Sequence, residues 1–591
     1  MRGTIHTVIA RALRLPGKPC VASTSLLAFM AVTIPSTAAF AQAVLPPGAA
    51  EAGRQADTIQ RQQQERVDED TTRILTRPQS QTVIEVPTHE QAEAAPGSCQ
   101  TINRIEFEHS PLLSEKGQER LTAPYLGRCL GLGDVENLLS DITRYYIEKS
   151  RPTTRVYIKP QNLAQGVLVL DVVEGRVEKV ILDDNAKGTV NLFTAFGLVR
   201  NNGFNLRVFE QGLDQINRLA SNHASLDITP GSKPGYSIVK ITNRPDSRLH
   251  LSASIDNTGQ TNTGRRQGTG TIILDDPLGL NEMWSYTRRQ TIFENRPNTD
   301  SHSNNLLFSL PFNALTFTGG YNDSEYRSQT VTDGGTVFVL TGASSNAFGR
   351  VDAAVWRNAR NKVELSAQLT NKRNRNFING IFLPVSSRVL TTVALEANWS
   401  VLIGRGSFRA GVGWTKGIDG LGALDDSTIA RTADTPHAQF DKLTARAAFV
   451  VPLQAGNVRI TSSTEFEALY GFDPLYANEQ IVIGSPFTVR GFFDNSLIGD
   501  RGFYLQQEFS SLLPVQIGRG QAFLRPHVSF DLGRVAPATA IGARGTLAGV
   551  AAGLGLTFGP VNLDITGSRS IARGPLPDEG FLAFARATIS F

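Results

Sequence analysis

Leu249-His250-Leu251-Ser252-Ala253-Ser254-Ile255-Asp256 carries an apolar side chain at every odd position and a polar one at every even position. Successive side chains of a strand point to opposite faces, so such a stretch presents one apolar and one polar face. The pattern returns at Val363, Leu365, Ala367 and Leu369, set against Glu364, Ser366, Gln368 and Thr370, and again at Val561, Leu563 and Ile565. From about residue 247 to the C-terminus the period stays at two. A strand with one face for lipid and one for water is the signature of a membrane-spanning barrel. A β-sandwich also alternates, but not over so long a run behind an export signal. At about 20–22 residues per strand and connection, the run predicts a transmembrane antiparallel β-barrel of about 16 strands, even because both chain ends face one side.

Working outward, the composition agrees. The chain has 591 residues, 54 of them glycine, and 19% charged residues. After residue 41 no apolar window is long enough for a membrane helix, whereas a barrel keeps an average hydropathy close to that of soluble proteins. A net charge of +4 gives no reason to invoke nucleic acid.

Residues 1–41 read as a signal peptide. Arg2, Arg11, Arg14 and Lys18 precede an apolar core, and Ala39-Phe40-Ala41 suits cleavage before Gln42. Cys20 leaves with it. Cys99 and Cys129 remain, an even pair in an oxidising compartment, which favours a disulfide.

Residues 42–70 are polar and rich in glutamine, with helix-compatible Gln55, Arg61, Gln62, Gln63, Glu65 and Arg66 but no apolar stripe. They suit either a helix seated in a wet lumen or an unstructured leader. Residues 71–98, with Pro78, Pro87 and Pro96, read as a linker. Residues 99–177 predict a small α+β unit: a strand at Ile102 to Phe107, helices at Glu115 to Leu121 and Asp134 to Lys149, then two strands. Residues 178–246 predict a second, with a helix from Leu206 to Ala220 and strands at Ala224 to Ile228 and Ser237 to Ile241.

Near the end lie Val489-Arg490-Gly491-Phe492, then Gly499-Asp500-Arg501-Gly502, Glu508 and Phe530-Asp531-Leu532-Gly533. In a barrel context these residues resemble the inward-folded loop of the Omp85 superfamily. The two-partner secretion transporters, or TpsB proteins, are the most similar branch: the haemolysin secretion/activation type. Cys99, Cys129, Thr153-Thr154-Arg155-Val156-Tyr157, Gln161, Leu163, Gly166 and Gly175-Arg176-Val177 resemble that family's first POTRA domain. Ser150-Arg151-Pro152 departs from it where a glycine and an aromatic are usual. Leu206, Glu210, Asn217-Arg218-Leu219, Pro230-Gly231 and Gly235 resemble the second.

The resemblance implies the rest. The fold is the barrel (247–591) preceded by two POTRA domains and an N-terminal plug helix. The loop folds into the lumen, where Arg490 needs a carboxylate, because an arginine held in a constriction is costly unless paired. Asp531 is the implied partner and Asp500, nearer in sequence, the rival. Gly491 is to make the turn, Phe492 to anchor it, and Glu508 to supply a further acid. Ile589 and the terminal Phe591 resemble the signal read by the barrel-assembly machinery. The implied function is export of a large TpsA-type exoprotein across the outer membrane, recognised unfolded by the POTRA domains in the periplasm. An assembly factor or insertase of the same superfamily is the alternative, and a passive porin a third. The cargo class stays open among adhesins, haemolysins, contact-dependent toxins and haem or iron proteins. Walker loop, His/Cys metal spacing and G-x-S-x-G elbow are all missing, so no cofactor, metal or enzymatic activity is expected.

Overall fold

The structure is a computed structural model and describes residues 55–56, 59–60, 99–183, 188–198, 203–331, 337–428, 432–540 and 542–591. The signal peptide, the linker and most of the polar segment 42–70 lie outside the described residues.

The first α+β unit packs a three-stranded sheet (Arg104–Glu108, Val167–Val173, Arg155–Ile158, with Val167–Val173 central) against helices Glu115–Thr122 and Leu132–Glu148. Leu138, Ile142 and Tyr146 on the long helix bury against Leu168, Leu170 and Val172. The strand predicted as one piece is two, Gln100–Ile102 and Arg104–Glu108. Gln100–Ile102 pairs with Arg128–Leu130, a three-residue strand too short to show a period. Beside that ladder the sulfurs of Cys99 and Cys129 are bonded.

The second unit starts at Arg176, so Arg176 and Val177 belong to it and not to the first. Arg176–Leu182 runs parallel to Tyr236–Thr242, which pairs antiparallel with Ser225–Pro230. Helix Leu206–Asn217 places Phe209, Leu213 and Ile216 in the core. A five-residue helix, Leu192–Phe196, capped by Asn191, adds a turn that the sequence pattern did not reveal.

The remainder is a closed antiparallel barrel of sixteen strands. Its strand lengths run from 8 residues at Leu249–Asp256 to 21 at Val337–Arg357. Leu249, Leu251, Ile255, Leu365 and Leu369 face outward, whereas Ser366 and Thr370 face inward and are buried. Among the described residues no helix is long and apolar enough to cross a membrane; the strands cross instead. Trp284, Tyr286, Trp414 and Tyr470 lie on the outer surface, available to the lipid interface. The inner wall carries ion pairs, among them Arg350 with Asp352, two residues along the same strand (2.9 Å), and with Glu396 of another strand (3.0 Å). Polar groups in that pattern suit a wet lumen.

The seam joins the first strand to the last. Phe581–Ser590 pairs with Leu249–Asp256 from Arg586↔Asp256 to Ser590↔Ser252. Leu251 and Phe591 exchange two backbone hydrogen bonds, at 3.0 and 2.8 Å. Beyond the strand, the Asn257 amide takes over the ladder: Oδ1 accepts from Ala585 N (2.8 Å) and Nδ2 donates to the Ala583 carbonyl (3.0 Å).

The second α+β unit is seated on the periplasmic rim. Gln215 Nε2 donates to the Asn313 and Leu315 carbonyls, and Arg218 donates to Ser309 and to the Asn281 carbonyl. Arg357, at the foot of a barrel strand, pairs with Glu210 and Asp214 of helix Leu206–Asn217. Glu210, noted in the sequence for its position, is therefore part of this joint.

Candidate functional site: the lumen loop

Residues 472–500 connect strand Val458–Gly471 to strand Arg501–Ser511 and turn back inside the wall. Within the loop, Ile481–Ile483 pairs antiparallel with Leu497–Gly499. This short hairpin satisfies its own backbone and carries apolar side chains into a buried cluster: Leu475, Ile481, Ile483, Val489, Phe492 and Leu497, closed by Val535 and Leu547 of the wall. An apolar cluster inside a polar lumen holds the loop by exclusion of water.

Arg490 sits on that cluster. Its Nε donates to Asp531 Oδ2 (2.7 Å), its Nη2 to Asp531 Oδ1 (2.8 Å) and its Nη1 to Glu508 Oε2 (3.1 Å). The Arg490 backbone N–H adds a bond to Asp531 Oδ2 (3.0 Å). Asp531 is fully buried, and a buried carboxylate facing the two-toothed guanidinium edge is the geometry in which such a pair is strong. The charges continue along the wall, with Arg525 bridging Glu508 (3.0 Å) and Asp564 (3.4 Å).

Asp500 faces elsewhere. It accepts from Leu475 N (2.8 Å), Gln480 Nε2 (2.7 Å) and Ala538 N (2.8 Å), so it ties the root of the loop together and does not meet Arg490. Gly491 has φ +100°, and a Cβ there would lie 2.5 Å from the backbone of Arg569 and Ser570. Phe492 is fully buried. Gly533 leaves space for Val489, whose Cγ2 would sit 2.9 Å from an added Cβ. Gly499 and Gly502 press against the backbone of Ala536 and Arg534. Phe530 points outward beside the inward Asp531. Ile589, on the last strand, and Phe591, just beyond it, are exposed.

Sequence reasoning missed several partners. Gly549 stands opposite Asp531 in the ladder, and the Arg490 carbonyl occupies the place where a side chain would be. Glu579 accepts from the backbone N–H groups of Phe493 (2.8 Å), Asp494 (3.1 Å) and Asn495 (2.9 Å). Thr261, in the connection after the first strand, binds the Asp494 carboxylate. Glu479 lies between Lys372 (2.6 Å) and Lys442 (2.7 Å). Only a glycine inside a strand, as at Gly549, could have hinted at close backbone approach, and that strand carries four of them.

A second object occupies the lumen. Ala56 and Ile59, in a helical segment, are buried against Tyr326, Leu340, Ile378 and Leu383. Gln60 Nε2 donates to Asn376 Oδ1 (2.9 Å), which also accepts from the Tyr326 hydroxyl (3.1 Å), and Thr330 donates to Gln55 (2.9 Å). Residues of the segment 42–70 are thus seated on the inner wall.

Among the described residues one group could hold a cation: Glu108, His109 and Asp171 on the first α+β unit. Lys159 already pairs with Glu108 (2.8 Å) and Asp171 (3.2 Å), so the charge a metal would bring is largely supplied.

Comparison with known proteins agrees with this architecture. The profile of haemolysin secretion/activation protein ShlB/FhaC/HecB matches residues 235–556. The ShlB-type POTRA profile matches 100–175, and a second POTRA profile matches 176–230. The chain is 32% identical over 417 residues to outer membrane transporter CdiB of Dickeya dadantii, covering 71% of this chain and 73% of that one. It is 31% identical over 468 residues to hemolysin transporter protein ShlB of Serratia marcescens, covering 78% and 81%. The solved structure of CdiB from Escherichia coli superposes with a TM-score of 0.81 at 27% identity, over 93% of this chain and 100% of that one.

Proposed function

Because this chain belongs to the haemolysin secretion/activation ShlB/FhaC/HecB family, we propose that it exports one large TpsA-type partner protein through its barrel lumen. It is an outer-membrane transporter with its POTRA domains in the periplasm. The observation that carries the proposal is a closed barrel whose polar lumen is crossed by the Arg490 loop and occupied by Gln55, Ala56, Ile59 and Gln60. A pore kept shut by two removable objects suits a conduit that opens for one client.

In the proposed sequence of events, the partner reaches the periplasm unfolded and engages the two POTRA units. Their sheets end in the open edges Arg155–Ile158 and Ser225–Pro230, which suit backbone pairing with an extended chain. The segment 42–70 then leaves the wall, the loop rearranges, and the client threads the lumen. Folding of the client outside supplies direction, since the periplasm offers no nucleotide energy. No bond is made or broken by the transporter, which is not an enzyme on this reading. Arg490, Asp531 and Glu508 act as the loop's latch, and Asp500 as a brace at its root. Phe591 and Ile589 serve the barrel-assembly machinery during biogenesis, and the outward apolar face meets outer-membrane lipid.

The second reading, an assembly factor, is disfavoured by the family match, which is to secretion/activation proteins and transporters. A paired proteome of a deletion strain and its parent separates the readings. Loss of one or two large supernatant proteins with an unchanged outer membrane is expected. A broad fall in barrel proteins would establish the assembly factor instead.

A further inference from the structure

The Arg490 latch is not the loop's one charged contact with the wall. Residues 476–480 leave the apolar cluster between Leu475 and Ile481 and run as a polar finger, with Ala477–Glu479 in a single 3-10 turn. At its tip the Glu479 carboxylate is buried. Oε1 accepts from Lys372 (2.6 Å) and Oε2 from Lys442 (2.7 Å), and Lys442 also donates to the Glu479 carbonyl (3.0 Å). Lys372 belongs to strand Asn361–Ile378, the seventh of the wall, whereas Asp531 belongs to Gly520–Ala536, the thirteenth. The loop is therefore a crossbar with charged attachments at Glu479 and at Arg490, the latter joined by Glu579 on the backbone of Phe493, Asp494 and Asn495.

The two attachments differ in what surrounds them. At the Arg490 end a bidentate pair is backed by Val489 and Phe492 in the apolar cluster, and Gly491 and Gly549 leave no spare space. Freeing that end would expose a packed core. At the Glu479 end the supports are mainly polar: the two lysines, of which Lys442 lies over Phe440 at the margin of the apolar cluster, Gln480 on Asp500 (2.7 Å) and the Arg388 guanidinium over the Tyr476 ring (4.5 Å). In addition, the Asn478 side-chain oxygen is buried without a hydrogen-bond partner, a cost that release into water removes. Charges released together into a wet lumen regain hydration that offsets their lost pairing, whereas an exposed apolar core has no such compensation.

We infer that the Glu479 finger is the end of the loop that lets go first when the pore opens, with Lys372 and Lys442 as its seat and the Arg490 latch as the end that holds longest. The inference rests on the transport reading for its purpose. Strand Asn361–Ile378 gives it a second consequence. Lys372, Asn374, Asn376 and Ile378 share one face of the strand, so the seat of the finger adjoins the seat of Gln60 on Asn376 and Ile59 on Ile378. Glu479 is a positioning residue, and finger and plug are neighbours on one wall strand.

Ion current through the full-length chain in planar bilayers tests this without a client, so its failure is separable from failure of the secretion reading. Glu479→Gln removes one partner of a buried pair, and the open-state occupancy should rise about tenfold over wild type. The triple variant Glu479→Lys, Lys372→Glu, Lys442→Glu restores opposite charges and should return occupancy toward wild type, which a purely steric role would not. Should that triple variant fail to form a barrel, Glu479→Cys with Lys442→Cys joined by a bis-maleimide keeps the test open. Linked pores should lose the openings that the same unlinked variant shows. An unchanged occupancy in Glu479→Gln, or openings that persist after linking, would overturn the assignment.

Discussion

Replacing Arg490 by alanine removes three side-chain hydrogen bonds, two to Asp531 and one to Glu508, and leaves Asp531 with the residue-490 backbone N–H. Breaking a fully buried pair by deleting one partner costs roughly 3–5 kcal/mol. Here the arginine side chain keeps 14% of its exposure and the lumen is wet, so the cost falls to about 2–3 kcal/mol. That shifts the balance between docked and undocked loop by roughly 30- to 150-fold. The barrel ladders are untouched, so the deficit belongs to the loop and not to the wall. Secretion of the partner, measured by immunoblot of supernatant against barrel abundance in the membrane, should fall sharply in Arg490→Ala and in Asp531→Ala. Wild-type secretion at normal barrel abundance in either variant would refute the latch.

Other expectations follow the same geometry. Gly549→Ala places a methyl on the Arg490 carbonyl and should reproduce the Arg490→Ala phenotype although no charge changes; a silent Gly549→Ala would mean that the loop does not rest there in the membrane. Deleting residues 49–70 removes Ala56, Ile59 and Gln60 from the wall and should raise single-pore conductance, and an unchanged conductance would make the segment a leader. Replacing Cys99 and Cys129 by serine opens a link across 30 residues, worth about 3–4 kcal/mol on a chain-entropy account. The first POTRA domain should then yield to protease at lower concentration, while the heat-modifiability of the barrel on gels stays as in wild type.

The barrel was legible because a lipid face and a water face impose a period of two on every strand, as at Leu249 to Asp256. The Arg490 loop was legible for a different reason: its motif resembles that of a known family, and the glycines at 491 and 533 sit where close approaches leave no room for a Cβ. What stayed hidden shares one property. Glu479 meets Lys372 across 107 residues, and Thr261 meets Asp494 across 233. Such pairs are decided by the path of a long loop through a lumen, and no local period records that path. The Arg128–Leu130 strand and the Leu192–Phe196 helix were too short for any period to repeat. The split of the first strand at Asn103 was within reach of the sequence, since Ile102 and Ile105 stand three residues apart and the alternation slips there.

The seam held by Asn257 has a bearing on how the molecule comes to exist. Asn257 meets Ala585 across 328 residues, nearly the whole span of the barrel. Until the C-terminal strand arrives, the growing sheet has two unpaired edges, each a row of N–H and C=O groups that hydrocarbon cannot satisfy. Partial sheets are therefore not way stations that lipid will tolerate, and closure of so distant a pair is intrinsically slow. The last strand acts as a timing device: insertion into the membrane and closure of the barrel become one event. Loss of a few C-terminal residues should cost more barrel than loss of a whole outer loop.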